Sequence, residues 1–344
     1  MYVNFFNCGS DEDDAMESRQ GIYELLERDI ADSDMTSDEK NERLSCLVRM
    51  REKKANIMFV GATGSGKSST INALFDMDVA KVGVGVNPET DSIESYTLDN
   101  LTIWDTPGLG DGVDNDEEYN RMLVRKLKET DSEGKPLIDL VMVVLDASSK
   151  DLGTSYDLIN NVLIPCLGEE KEGRILVALN QADVAMKGKH WNAQDNVPDE
   201  VLLDFLKKKA ESVKQRIYDG TGVTIEPVFY SAGYKEDDEE QCRPYNLTKL
   251  LYYIIKSIPK DKRFVIADNI NRDSDMWLHD DDEENYADEI QSGFLDLMAW
   301  AISDGARDGK YIGENILGIP GKALGYVLGG AVGAVKGFFQ SIFG

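Results

Sequence analysis

The chain has 344 residues, of which 42% are hydrophobic and 29% charged, so it can bury a core and is not a wholly disordered polymer. Its 37 Lys and Arg stand against 64 Asp and Glu, a formal net charge of −27, which argues against bulk nucleic-acid binding and against adhesion to anionic lipid by charge. Four scattered cysteines and two histidines leave no disulfide framework and no histidine-rich metal site.

Residues 1–6 run straight into Asp11-Glu12-Asp13-Asp14 without a basic region or a long apolar run. No signal peptide is expected, and a cytoplasmic location is. Residues 1–54 hold 14 acidic against 8 basic side chains. Ile22, Leu25, Leu26 and Ile30, then Leu44, Leu47 and Val48, recur at helical spacing and predict an N-terminal helical segment. Thr36-Ser37-Asp38-Glu39 reads as the cap of its second helix.

Residues 55–262 alternate between strand and helix patterns. Apolar runs at Ile57–Val60, Ile93–Leu98, Leu101–Trp104, Ile138–Leu145, Ile175–Leu179 and Ile225–Tyr230 predict six strands. Ser68–Phe75, Glu117–Lys128, Ser155–Leu163, Asp199–Tyr218 and Leu247–Ser257 predict the intervening helices. The expected fold is α/β, a doubly wound, mostly parallel six-stranded sheet covered on both faces. The neighbouring runs at 93–98 and 101–104, joined by Asp99-Asn100, predict a hairpin and hence one antiparallel edge strand.

Residues 263–344 form a third region, acidic first and glycine-rich afterwards. Between Phe264 and Trp300 there are 11 acids and one base, and Asp280–Glu284 reads as a solvated loop or a helix start. Gly321, Gly325, Gly329, Gly333 and Gly337 then recur every four residues. The uncharged run Ala323–Val335 is 13 residues, short of the roughly 20 a spanning helix needs. Two readings stand for 301–344: a tightly packed helical hairpin, or a surface for membrane contact or self-association anchored by Phe338, Phe339 and Phe343.

Gly61-Ala62-Thr63-Gly64-Ser65-Gly66-Lys67-Ser68 matches GxxxxGK[ST], follows a predicted strand and opens a predicted helix. Glycines let backbone N–H groups turn inward around phosphate oxygens, and a helix N-terminus adds its positive end. Lys67 brings a compact charge to the β- and γ-phosphates, Ser68 a hydroxyl to Mg²⁺, and Ser69 a donor to the α-phosphate. Asp105-Thr106-Pro107-Gly108 ends a strand: the carboxylate suits Mg²⁺ and the Gly108 N–H suits a γ-phosphate. Asn180-Gln181-Ala182-Asp183 ends another. The Asp183 carboxylate accepts from guanine N1–H and N2–H₂, a donor pair that adenine lacks. Ser231-Ala232-Gly233 ends a third strand and offers a backbone N–H to the purine O6. All lie at carboxyl ends of predicted strands, where open α/β sheets bind ligands.

Through GATGSGKSSTINALF, DTPGLGDG, NQAD and YSAG, residues 55–262 resemble P-loop GTPases of the translation-factor-related class. The likeness is to Era-like GTPases and the bacterial YfjP/YeeP type, and less so to immunity-related GTPases and septins. The resemblance implies GTP and GDP as ligands, Mg²⁺ as cofactor and GTP hydrolysis as the reaction. It implies Gly61–Ser69 as phosphate loop, Asp105–Gly108 as second switch, Asn180 and Asp183 as guanine readers, and Thr90 as the switch threonine on Mg²⁺ and γ-phosphate.

The chain departs from that pattern in three places. Gln181 replaces the usual lysine, so a charge near the base is gone. Leu109 replaces the glutamine that many relatives use to orient the attacking water. Gly64 stands where potassium-activated relatives carry Asn, so a monovalent cation is not expected to replace an arginine finger. The expected behaviour is slow hydrolysis, accelerated by self-association or a protein partner. The water is then oriented by Glu89, Asp111, a carbonyl or a group in trans. An Era-like ribosome or RNA assembly role, and a GTP-held binding module with negligible turnover, stand as alternatives. Peripheral attachment at the inner membrane goes with the membrane-contact reading of the tail.

Overall fold

The computed structural model describes residues 21–75, 93–109, 113–169, 171–233, 243–281, 283–294 and 336–343. Thr90, Glu89, Asp111 and Gly321–Gly333 lie outside them. The chain forms two compact units: an α/β unit of Lys53–Asn271 with Asp275–Ile290, and a helical unit of Met1–Glu52, Arg272–Ser274 and Gln291–Gly344.

In the α/β unit six strands line up in the order β2-β3-β1-β4-β5-β8. They are β1 (Ala55–Val60), β2 (Glu94–Leu98), β3 (Leu101–Asp105), β4 (Leu140–Asp146), β5 (Ile175–Asn180) and β8 (Val228–Phe229). Every pairing is parallel except β2 with β3. Strands β1 and β5 are buried at every residue, β4 at all but its last, as unbroken apolar runs between two helical layers must be. The edge strand β2 carries the polar sequence ESYTL and is largely exposed. Asp99 turns the hairpin with φ 41°, a left-handed conformation that Asp tolerates.

The helices of this unit are α3 (Lys67–Phe75), α4 (Val113–Leu127), α5 (Gly153–Leu158), α6 (Glu200–Thr221), α7 (Leu247–Ser257) and α8 (Arg263–Asp268). Three departures from expectation have local causes. The strand expected over 225–230 pairs with β5 only through Val228 and Phe229, because Pro227 has no N–H to give a ladder. The helix expected over 155–163 widens into a π turn at Ile159–Leu163 before Ile164–Cys166. Pro165 lacks an N–H and its ring crowds the carbonyl four residues back, and the wider turn relieves both. A hairpin of β6 (Trp191–Asn192) with β7 (Val197–Pro198) was not expected, since two-residue strands show no alternation.

In the helical unit, α1 (Ile22–Asp32) and α2 (Ser37–Arg51) are joined by a capping box. Thr36 N–H donates to Glu39 Oε2 at 2.8 Å, and Glu39 N–H to Thr36 Oγ1 at 3.4 Å. Ile22, Leu26, Ile30 and Leu47 are buried as the spacing requires, while Val48 is exposed. Residues 336–343 are helical. Phe338 and Phe339 are buried; the Phe339 ring meets Phe294 at 5.1 Å and the Arg272 guanidinium lies 4.3 Å from the Phe338 ring centre. These two rings are packed against protein groups of the same unit. Among the described residues no helix is long and apolar enough to cross a membrane.

Candidate functional site

The carboxyl ends of β1, β3, β5 and β8 converge on one edge of the sheet, and the loops that follow them carry the site. The loop after β1 wraps into α3, whose first residue is Lys67. Gly66 holds φ +86°, and a Cβ there would overlap the Asn180 amide, so only glycine fits both the backbone and the space. Lys67 is buried, and its ammonium donates to Gly61 O at 3.2 Å and Ala62 O at 3.3 Å. The cation thus sits inside the curl of its own loop.

Ser68 Oγ donates to Asp105 Oδ2 at 3.0 Å. Burial raises the Asp105 carboxyl above the ordinary range, opposed by the Lys67 charge and the Ser68 hydroxyl. The other oxygen, Asp105 Oδ1, is buried without a partner among the described residues, as is Ser65 Oγ. An orphaned carboxylate oxygen beside a hydroxyl suits a hard divalent cation with oxygen ligands. No group of three or more His, Cys, Asp or Glu converges among the described residues. Mg²⁺ needs none where one carboxylate, one hydroxyl, water and phosphate oxygens complete its shell. The residues fit Mg²⁺.

The second-switch turn lies directly on the phosphate loop. A Cβ on Gly108 would overlap Thr63. Leu109 N–H donates to Gly61 O, and Thr63 N–H to Leu109 O, both at 3.2 Å. Leu109 is 4% exposed and belongs to the hydrophobic core.

At the other end of the cleft, Asn180 uses both polar atoms inside the protein. Its Nδ2 donates to Ser65 O at 3.0 Å and its Oδ1 accepts from Ala232 N–H at 3.0 Å. Asn180 and the Ala232 N–H, expected to face the base, are thus bonded to each other, and Asn180 also to the phosphate loop. Those groups tie the base loops to the phosphate loop. Gln181, at φ 64°, donates from Nε2 to Gly64 O at 2.6 Å, a third tie that its sequence position alone does not reveal. Asp183 is half-buried, with Oδ1 accepting from Ser231 Oγ at 2.7 Å.

The acidic run after α8, expected to be a solvated loop or a helix start, precedes the helix that begins at Tyr286; Glu283 and Glu284 are exposed, but part of the run is docked. Asp281 is buried, and Lys249 on α7 donates to Asp281 Oδ2 at 2.6 Å and to Glu283 Oε2 at 2.7 Å. Burial works to lower the Lys249 ammonium, but these two carboxylates outweigh it and hold it above the ordinary value. Burial also pushes the Asp280 carboxyl up to about 6. Asn246 completes the docking: Nδ2 reaches Phe229 O and Asp281 Oδ2 at 3.0 and 3.2 Å, and Oδ1 accepts from Asp281 N–H at 2.6 Å. Tyr245, the residue before it, bridges Ser231 through the backbone. Asp281 thus packs behind the loop that carries Ser231.

Residues 56–181 match the model of the 50S ribosome-binding GTPase family. Translocase of chloroplast 101 from Physcomitrium patens is 34% identical over 101 residues, 28% of this chain and 11% of that protein. Human Septin-9 is 37% identical over 91 residues, 21% of this chain and 16% of that one. Escherichia coli YfjP, an uncharacterized protein, is 29% identical over 140 residues, 38% of this chain and 42% of its own. The chain thus matches between 11% and 42% of the length of these relatives. Among solved structures, Arabidopsis thaliana Toc33 with Mg²⁺ and GMPPNP aligns at TM-score 0.39 and 16% identity, covering 68% of this chain and 90% of that one. With its phosphate loop on β1 and its Asp105 turn on β3, the segment 56–181 is a P-loop GTPase domain.

Proposed function

We propose that the chain binds GTP and GDP with Mg²⁺, hydrolyses GTP slowly by itself, and works as a nucleotide-dependent switch accelerated by self-association or a protein partner. The observation that carries this reading is the meeting of Lys67, Ser68, the orphaned Asp105 oxygen and Asp183 on one sheet edge. In the bound state the Lys67 ammonium moves from Gly61 O and Ala62 O to the β- and γ-phosphates. Backbone N–H groups of Gly61–Ser69 surround the phosphates. Ser68 and Asp105, with Thr90, hold Mg²⁺, which neutralises charge on the phosphate oxygens.

Asp183 accepts from guanine N1–H and N2–H₂ while Ser231 keeps one of its oxygens oriented. Asn180, Gln181 and Ala232 position the loops around it. For hydrolysis the Gly108 N–H must reach the γ-phosphate, so the Leu109–Gly61 and Thr63–Leu109 bonds open. With Leu109 in the core no glutamine orients the water, which leaves positioning to Glu89, Asp111 or a partner. Slow turnover follows, and a protein that holds GTP without measurable turnover is its limiting case.

Burial of Phe338 and Phe339 favours a packed tail over free membrane anchors, so self-association is preferred to lipid contact as the source of acceleration. A cytoplasmic location goes with it. The family's ribosome-binding description supports a second reading, an assembly GTPase, which the net charge of −27 disfavours.

Phosphate release from GTP, measured over a hundredfold range of protein concentration with and without liposomes or ribosomes, tests the proposal. Specific activity rising with protein concentration supports it. Fast, concentration-independent turnover by the dilute chain refutes the slow-switch reading.

A further inference from the structure

The ties between the base end and the phosphate end include one that no sequence motif names. Tyr230, between β8 and Ser231, is 0% exposed. Its N–H donates to Leu179 O at 2.9 Å and its carbonyl accepts from Ala182 N–H at 3.1 Å, so its backbone is fixed to the loop that carries Gln181 and Asp183. Its hydroxyl lies 2.6 Å from Thr70 Oγ1 on α3, and Thr70 Oγ1 donates to Gly66 O at 2.7 Å.

A threonine hydroxyl has one proton. Thr70 gives that proton to Gly66 O, so Tyr230 must be the donor to Thr70. The result is a directed chain, Tyr230 O–H to Thr70 Oγ1 to Gly66 O, in a dry environment where such chains reinforce one another. Gly66 O also accepts from Thr70 N–H at 3.0 Å. The Gly66–Lys67 peptide is planar and trans, so its C=O and N–H point in opposite directions. Pulling the carbonyl toward Thr70 aims the Lys67 N–H the other way, into the phosphate loop.

We infer that Tyr230 is a positioning residue that couples the base-reading loop to the phosphate loop, orienting the Gly66–Lys67 peptide through Thr70. The inference rests on the nucleotide reading above. Burial also pushes the Tyr230 phenol up, so it stays a donor throughout the physiological range.

The test is calorimetry of GDP and of guanosine on the full chain, with thermal melting in parallel, for wild type, Tyr230→Phe, Thr70→Val, Thr70→Ser and the Tyr230→Phe/Thr70→Val double variant. Wild-type binding of GDP comes first; its absence refutes the nucleotide reading and the coupling with it. Given that binding, Tyr230→Phe weakens GDP by about tenfold, the scale of one hydrogen bond, and leaves guanosine within about twofold. Thr70→Val reproduces the loss, Thr70→Ser restores affinity, and the double variant is no worse than either single change. If Tyr230→Phe does not fold, the contrast between Thr70→Ser and Thr70→Val decides. Unchanged GDP affinity in Tyr230→Phe and Thr70→Val overturns the coupling. So does an equal loss for GDP and guanosine, which marks a purely structural role.

Discussion

Gly66 and Gly64 both hold left-handed backbone, at φ +86° and +74°, but their surroundings differ. A Cβ on Gly64 meets nothing within 4 Å, whereas one on Gly66 overlaps Asn180 Nδ2. Gly64→Ala therefore carries only the backbone cost of an L-residue in that region, about 1–2 kcal/mol. Gly66→Ala carries the same cost and also displaces the Asn180 amide from Ser65 O, leaving a buried carbonyl without its donor. That adds about 1–3 kcal/mol, and at roughly 2–4 °C per kcal/mol the extra melting shift is about 2–12 °C. The displaced amide also serves Ala232, so the base loop loosens with the phosphate loop. Thermal melting with and without GDP, beside a GDP titration, measures both effects. Gly66→Ala is expected to melt below Gly64→Ala and to bind GDP at least about tenfold more weakly than it. If the two variants behave alike, the Asn180 contact does not link the loops and the account of the cleft is wrong.

Asp183→Asn exchanges a carboxylate acceptor for an amide and is expected to weaken GTP by about 100-fold or more while raising xanthosine triphosphate binding; competitive titration of the two nucleotides reads it. Leu109→Gln places an amide in the core, so it is expected to lower stability by about 1–3 kcal/mol without raising turnover, as melting and phosphate release would show. The Asp280 carboxyl is raised from 3.8 to about 6 by burial. The folded chain therefore binds this proton more tightly than the unfolded one, and the stability it supplies is lost as pH climbs through that interval. Asp280→Asn is expected to be about 1–3 kcal/mol more stable than wild type above pH 6 and less pH-dependent between pH 4 and 6, by denaturant unfolding across that range.

What was legible in the sequence is what lies close together along it. The run Gly61–Ser68, the Asp105 turn and the Asp183 turn each follow an apolar strand, and their order along the chain predicts that they share one edge of a parallel sheet. The ties across the cleft were not legible. Asn180 reaches Ser65 across 115 positions and Ala232 across 52, and nothing local in the sequence signals either contact. The docking of Asp281 was not legible for the same reason: an acidic run signals solvent, and Lys249, 32 positions before Asp281, meets Asp281 and Glu283 only in the fold. Pro227 and Pro165 were visible, but how far a strand would shorten or a helix widen around them depended on the neighbours those elements meet.

The most direct measurement is calorimetric titration of the full chain with GDP and ADP in Mg²⁺. Saturable binding of GDP with no heat from ADP over the same range is predicted, since Asp183 meets a donor pair only on guanine. A flat trace for both, or equal affinity for the two, would contradict the claim that this cleft holds a guanine nucleotide.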